Sequence, residues 1–364
     1  MFSQPKYPQR PTCSRRRFST SWWDCAGIPG LTTITTGVKS LYEHLEHHGV
    51  ARIHRHSPIR GQADRAVAKG EAIRVLPGVV AATVLARDPR TLIRALWLWH
   101  RDVVLVGKAA LLMLGMTSPQ SGRSLDFTGI SQVEAFSCTR RLVRPGIHVH
   151  RWHVPWRFIT EREQIRIATA EVSVLILAIE GEWEWVCHAL RLRLVTPDSC
   201  KAARRSLTDR YPQHQVDKAL ADIALAAWSI PELEMARILR ATGVTGHKSN
   251  HKVHVGDRFY YLDQAFESEK ISLEIDGRCV HGTAEGYEST MMRSANLDRH
   301  GWKVLHVTPT MLRRSPRFVL DWLTSYLHAR HKPKRQYSDH VLRRIMNGHI
   351  APGEPEIPKR PQSR

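Results

Sequence analysis

The chain has 364 residues, with 54 lysines and arginines against 34 aspartates and glutamates, giving a formal charge of +20. Hydrophobic residues make up 42% of it, enough to build real cores, which excludes wholesale disorder. The longest apolar stretches, Val172–Ile179 and Val103–Met116 with Lys108 inside it, fall short of the ~20 residues of a spanning helix. That excludes a membrane-embedded protein.

At roughly 150 residues per domain, the length predicts two or three domains, and the mixture of predicted helices and strands makes the class α/β (α+β multidomain). The basic surplus makes a polyanion, DNA first, the expected partner. Residues 1–35 carry +4, 36–116 carry +6, 117–228 carry +3, 229–330 carry +2 and 331–364 carry +5. The ends are read as a disordered leader (1–35) and a basic disordered tail (331–364), the latter from Lys332, Lys334, Arg335 and the Pro-rich run 352–364. Ser14-Arg15-Arg16-Arg17-Phe18 has the arginines of an export signal, but Asp24, Gly27 and Gly30 break the apolar segment such a signal needs. The six cysteines (Cys13, Cys25, Cys138, Cys187, Cys200, Cys279) include no Cys-x-x-Cys pair. They form neither a zinc signature nor a disulfide framework, which predicts a cytoplasmic protein.

Residues 36–116 begin as a helix. Val38, Leu41, Tyr42 and Leu45 recur at helical spacing, and Gly49 is placed to cap the end. A second short helix is expected over Gln62–Lys69. Ala72–Val80 then reads as two β segments around Pro77-Gly78. Helix, helix and hairpin is the order of a winged helix, whose second helix enters the major groove. Gln62, Arg65 and Lys69 would line that helix, and Arg60 and Arg74 would meet phosphates. A small helical domain with a solvated basic face fits the same pattern.

The run Gly49-Val50 … Ala68-Lys69-Gly70-Glu71-Ala72-Ile73-Arg74-Val75-Leu76-Pro77-Gly78-Val79-Val80 resembles the N-terminal winged helix of AbiEi-type antitoxins. Arg94-Ala95-Leu96 and Val103–Gly115 resemble the helices that continue it. The stretch Ile53–Pro58 departs from the regular helical run usual there. The resemblance implies DNA binding and, as a possible partner, a cognate toxin protein of a toxin–antitoxin system.

Residues 117–228 form an α+β connecting domain in this reading. Ile147–Arg151 alternates as a strand, Glu171–Ile179 is an apolar helix or strand, and Gln215–Trp228 is helical. His148, His150 and His153 invite a metal reading, but no carboxylate or Cys stands at fitting spacing. They are read as exposed strand histidines. His44, His47 and His48 lack the Glu of a His-Glu-x-x-His helix.

Residues 229–330 carry the chemistry. Ser229 and Pro231 open a helix that Gly243 ends; Phe259–Phe266 and Lys270–Asp276 are strands; Glu285–Arg299 is a helix; Trp302–Thr308 is a strand; and Ser315-Pro316 starts a last helix. The order is αββαβα. Glu274 and Asp276 project from one strand face about 7 Å apart, and Asp263 stands on the preceding strand, close enough for a hairpin. Clustered acids call for a cation, and a hard ion such as Mg²⁺ takes such oxygens. The polar side of an edge strand accounts for the same spacing.

Glu234, Tyr261-Leu262-Asp263, Leu273-Glu274-Ile275-Asp276-Gly277 with His281, Arg293 and Gly301-Trp302-Lys303-Val304-Leu305 together resemble the endonuclease-like domain related to very-short-patch repair nucleases, of the PD-(D/E)XK restriction-endonuclease-like superfamily. The resemblance implies Glu234 as a first-helix acid, Asp263 and Glu274 as the pair holding Mg²⁺, and His281 as a site histidine. Together these imply an endonuclease. Asp276 stands where the superfamily's usual lysine would, as in the subgroup resembled, and Thr290 stands where that subgroup commonly has Asp. Lys270, Lys303 and Arg278 are the candidates to supply positive charge. A non-catalytic regulator or antitoxin that only binds DNA or a partner is the alternative.

Overall fold

The computed structural model describes residues 40–207, 210–256, 258–275 and 284–349. Asp276, Arg278 and His281, the leader, and the tail from 350 onward lie outside the described residues. Within them the chain is mixed α/β. No described helix is long and apolar enough to cross a membrane. It divides into two compact units: residues up to 105 with 129–153 and 160–167, and residues 106–128 with 154–159 and 168 onward. The segment 117–228 therefore contributes to both units.

The first unit opens with α1 (Leu41–His48), started by a Ser40–Glu43 capping box and ended by Gly49 at φ 71°. The short β1 (Val50–Arg52), α2 (Arg60–Ala68), β2 (Ala72–Leu76) and β3 (Val79–Ala82) come next. The three strands pair in the order β1-β3-β2. The Pro77-Gly78 turn needs a left-handed Gly78 (φ 71°), and a Cβ there would lie 3.3 Å from the Ile53 carbonyl. Leu41, Leu45, Ala63, Ala66 and Val80 fill the small core between helices and sheet.

After α3 (Pro89–Trp99) comes β4 (Val104–Val106) and α4 (Gly107–Met113). Then β5 (Val133–Ser137), β6 (Leu142–Arg144), β7 (Ile147–Arg151), β8 (Ile159–Arg162) and β9 (Ile165–Ala168) complete a six-stranded sheet in the order β6-β7-β5-β4-β9-β8. β5 and β7 run parallel, with Glu134 beside His148 and Phe136 beside His150. Val133, Ala135, Ile147 and Val149 are fully buried on the opposite face, and Phe136 is buried too, while Glu134, His148 and His150 are half-buried.

The second unit is helical first: α5 (Ala170–Ile179), α6 (Trp183–Arg191), α7 (Pro197–Ala203) and α8 (Gln213–Ile223). The run over 171–179, open between helix and strand in sequence, is helical and buried on nearly every side. α9 (Ile230–Thr242) starts at Ser229, whose Oγ accepts from the Glu232 amide, and stops at Gly243 (φ 76°). The sheet after it has β10 (His247–Val255), β11 (Arg258–Phe266), β12 (Ile271–Ile275), then α10 (Ala284–Arg299) and β13 (Lys303–Val307). Its order is β10-β11-β12-β13, antiparallel except for the parallel β12–β13 pair.

The sheet thus has one strand more than the sequence pattern predicts. β10 was missed because its residues, His247-Lys248-Ser249-Asn250-His251-Lys252, are polar; only Val253 and Val255 are buried. α11 (Pro309–Arg314), α12 (Pro316–Thr324) and α13 (Asp339–Met346) close the unit. The expectation of a disordered tail is overturned for residues 331–349. α13 puts Val341, Leu342, Ile345 and Met346 into one core with Met235, Leu239, Leu273, Leu305 and Leu323. Each such side chain contributes about 1.5–3 kcal/mol by leaving water.

Candidate functional site

β12 is a central strand, so Ser272 and Glu274 are buried, at 0% and 3% exposure. The solvated-edge reading of the acid spacing therefore does not hold. Leu273 faces the α9 side core; Glu274 points the other way, where Arg293 of α10 donates to its Oε2 at 2.6 Å. Its Oε1 accepts from the Ser272 hydroxyl and from the Asp263 amide at 3.3 Å. Asp263 of β11 answers across the hairpin, accepting the Ile275 amide on Oδ2 at 2.8 Å. β11 and β12 thereby bring Asp263 and Glu274 together as the sequence pattern predicts.

The two acids of α9 have different partners. Glu234 is buried, but both its oxygens take the Arg313 Nε, each at 3.1 Å, on α11. Glu232, two residues earlier, is the acid of α9 whose charge Asp263 feels. Its Oε2 accepts from the Trp228 amide at 2.8 Å and from Asn250 Nδ2 at 2.9 Å. Asn250 lies between the paired positions Ser249–Gln264 and His251–Leu262. Its backbone is left-handed (φ 49°), a conformation Asn tolerates better than most residues. At this break in β10 the Asn250 amide reaches Glu232.

The convergence sets the electrostatics. Burial, with the Glu274 and Glu232 charges after it, pushes the Asp263 carboxyl well above the usual carboxylate range. Burial also raises Glu232. Arg293 neutralises Glu274, while Asp263 and Glu232 are shifted toward their protonated forms. Glu232, Asp263 and Glu274 do not bring three oxygens within 4.8 Å of one another. A metal at Asp263 and Glu274 would draw the rest of its shell from water or ligand, as Mg²⁺ commonly does.

The positive charge comes from α10. Lys270 Nζ donates to the His300 carbonyl at 3.1 Å, and Lys303 Nζ sits 4.3 Å over the Tyr326 ring. Thr290 stands one turn before Arg293 on α10. His306 on β13 is the register partner of Glu274 and bonds the Ser294 hydroxyl at 3.0 Å. It was not singled out because the site acids lie on β11 and β12, and only the parallel pairing brings β13 beside them. On β11, Tyr261 accepts from Arg193 at 2.6 Å through its hydroxyl, and Lys252 of β10 lies 4.0 Å from the exposed Phe259 ring.

The candidate nucleic-acid residues lie in the first unit. Arg60, Arg65 and Lys69 are exposed on α2 and its C-cap. Arg74 of β2 is exposed but paired with Asp64. Gln62 is not an outward-facing reader: its Oε1 accepts from the Leu41 amide at 2.7 Å, holding the start of α1 to α2. No family model, curated protein or solved structure matches this chain.

Proposed function

We propose that the protein binds DNA through a winged helix formed by α1 to β3, and that residues 229–330 are a restriction-endonuclease-like domain hydrolysing DNA phosphodiester bonds with Mg²⁺. The observation that carries this reading is the pairing of Asp263 and Glu274 across the β11–β12 hairpin beside Arg293. The αβββαβ order and the antiparallel-then-parallel sheet support the same reading. Mg²⁺ held by Asp263 and Glu274 would stabilise negative charge on the phosphodiester and lower the pKa of a bound water. Arg293 fixes the Glu274 rotamer, and Trp228 N–H and Asn250 fix Glu232. His306, beside Glu274, is the described side chain best placed to move a proton; His281 keeps its proposed role outside the described residues. Arg65, Lys69 and Arg60 would anchor phosphates without reading sequence.

A second reading has an observation of its own. Arg293 already neutralises Glu274, and Asp263 is held toward its protonated form, so the acids are stable together without an ion. That suits a non-catalytic cytoplasmic regulator or antitoxin that binds DNA or a toxin partner. Nicking of supercoiled plasmid with Mg²⁺ separates the two. The nuclease reading expects cleavage by the wild type, none by Asp263→Ala, Glu274→Ala or Glu232→Gln, and near-normal cleavage by Glu234→Gln. A protein that shifts DNA in gels yet cuts with no divalent ion sinks it.

A further inference from the structure

The six-stranded sheet carries a second set of donors, in a unit that the proposed cleavage chemistry does not use. Glu134 on β5 and His148 on β7 are register partners on adjacent parallel strands, which sit ~4.8 Å apart. His150, two residues on, leaves the same face. All three side chains are half-buried, and one donor atom from each lies within 4.8 Å of the other two. The two imidazole centroids are 3.7 Å apart, and the Phe136 ring packs edge-on 5.9 Å from His150. The carboxylate that sequence spacing did not supply thus arrives from the neighbouring strand, and the reading of His148 and His150 as merely exposed strand histidines is revised.

We propose that Glu134, His148 and His150 form a binding site for a divalent transition-metal ion of the Zn²⁺ or Co²⁺ class. Two imidazoles and one carboxylate are a borderline donor set, which favours such ions over Mg²⁺ or Ca²⁺, whose preferred ligands are oxygens. Three ligands from one side leave the remaining positions open to water or an external ligand, as in zinc sites with three protein ligands. The ladder hydrogen bonds of β5 and β7 hold the donors together in advance, so little ordering remains on binding.

Glu269, His328 and His331 form a second candidate group. Glu269 Oε1 takes His331 Nδ1 at 2.6 Å, His328 Nδ1 at 3.0 Å and the His328 amide at 3.3 Å. That set is already closed by its own hydrogen bonds and ties the 329–331 turn to the β11–β12 link. It serves as the internal control.

The experiment is a Co²⁺ titration of the full-length protein stripped of metal, read by visible d–d absorption, with Zn²⁺ affinity by calorimetry. One equivalent should bind with the spectrum of nitrogen and oxygen ligands and resist a large excess of Mg²⁺. His148→Ala and His150→Ala should abolish it; Glu134→Gln, which keeps shape, should weaken it tenfold or more; His331→Asn should leave it intact. Circular dichroism of each variant establishes that the strands persist. The proposal is overturned by an unchanged spectrum in a folded Glu134→Gln or His150→Ala protein, by loss in His331→Asn alone, by displacement with Mg²⁺, or by thiolate charge-transfer bands assigning the ion to cysteines.

Discussion

Arg293 Nη2 donates to Glu274 Oε2 at 2.6 Å while the same nitrogen reaches the Tyr261 carbonyl. One guanidinium therefore ties α10 to both strands of the acid hairpin. Truncation to Ala leaves the almost fully buried Glu274 charge without its cation, at a cost of roughly 3–5 kcal/mol. Urea denaturation of Arg293→Ala checks this. Arg293→Lys should recover only part of the loss, since an ammonium cannot keep both contacts in the guanidinium's geometry.

Asp222 is the hub of a second buried network. It accepts Arg237 Nε at 2.9 Å and Nη2 at 2.6 Å, and it pairs with Arg240. Arg237 in turn donates to the Met346 carbonyl at 2.8 Å. Asp222→Ala should destabilise by roughly 3–5 kcal/mol, the cost of a buried charge stripped of its partner. Asp222→Asn should fall between. An unchanged urea midpoint in Asp222→Ala would refute this.

His247 packs 5.6 Å from the Phe266 ring, and its Nδ1 has no partner among the described residues. Burial lowers it from 6.5 to about 4. The folded form resists a proton that the unfolded chain accepts. Its contribution is therefore complete above pH 6.5 and lost as pH falls toward 4, by at most about 3 kcal/mol. In His247→Leu that part of the acid limb should flatten. Equal acid limbs in denaturation curves across this window would count against it.

On the DNA face, Arg65→Ala and Lys69→Ala should each lower the slope of log K against log salt by about 1, uniformly across sequences. Arg74→Ala should do less, because Asp64 already holds that guanidinium; Asp64→Ala should tighten binding. Gln62→Ala should instead cost stability, about 1 kcal/mol for a lost helix-start contact, with sequence preference unchanged. A change of base preference in Gln62→Ala would restore it as a reader.

Much of this layout was legible in advance. The caps at Ser229 and Gly243, the Pro77-Gly78 turn and the alternation of Ile271, Leu273 and Ile275 depend on near neighbours, and they stand where local rules put them. What escaped depends on distant ones. Glu232 and Glu234 are two residues apart, hence about 200° apart around a helix. α9 is buried on almost every side, so periodicity gave no way to choose between them. β10 hides its strand character because its polar side chains find partners across the fold, Lys248 and His251 on Glu267, Ser249 on Gln264 and Asn250 on Glu232. Glu134 and His148 are fourteen positions apart, and only a parallel pairing joins them.

The docking of α13 sets an order of events. Its Leu342 and Ile345 complete the same core that backs β12, and Arg237 and Lys218 reach over to the carbonyls of Met346 and Gly348. During synthesis this helix leaves the ribosome after every strand that carries an acid of the site. A nascent chain can pair β11 with β12, yet the sheet lacks part of its backing until residue 346 has emerged. The backing of β12 is therefore completed late, after both strands of the acid hairpin have emerged.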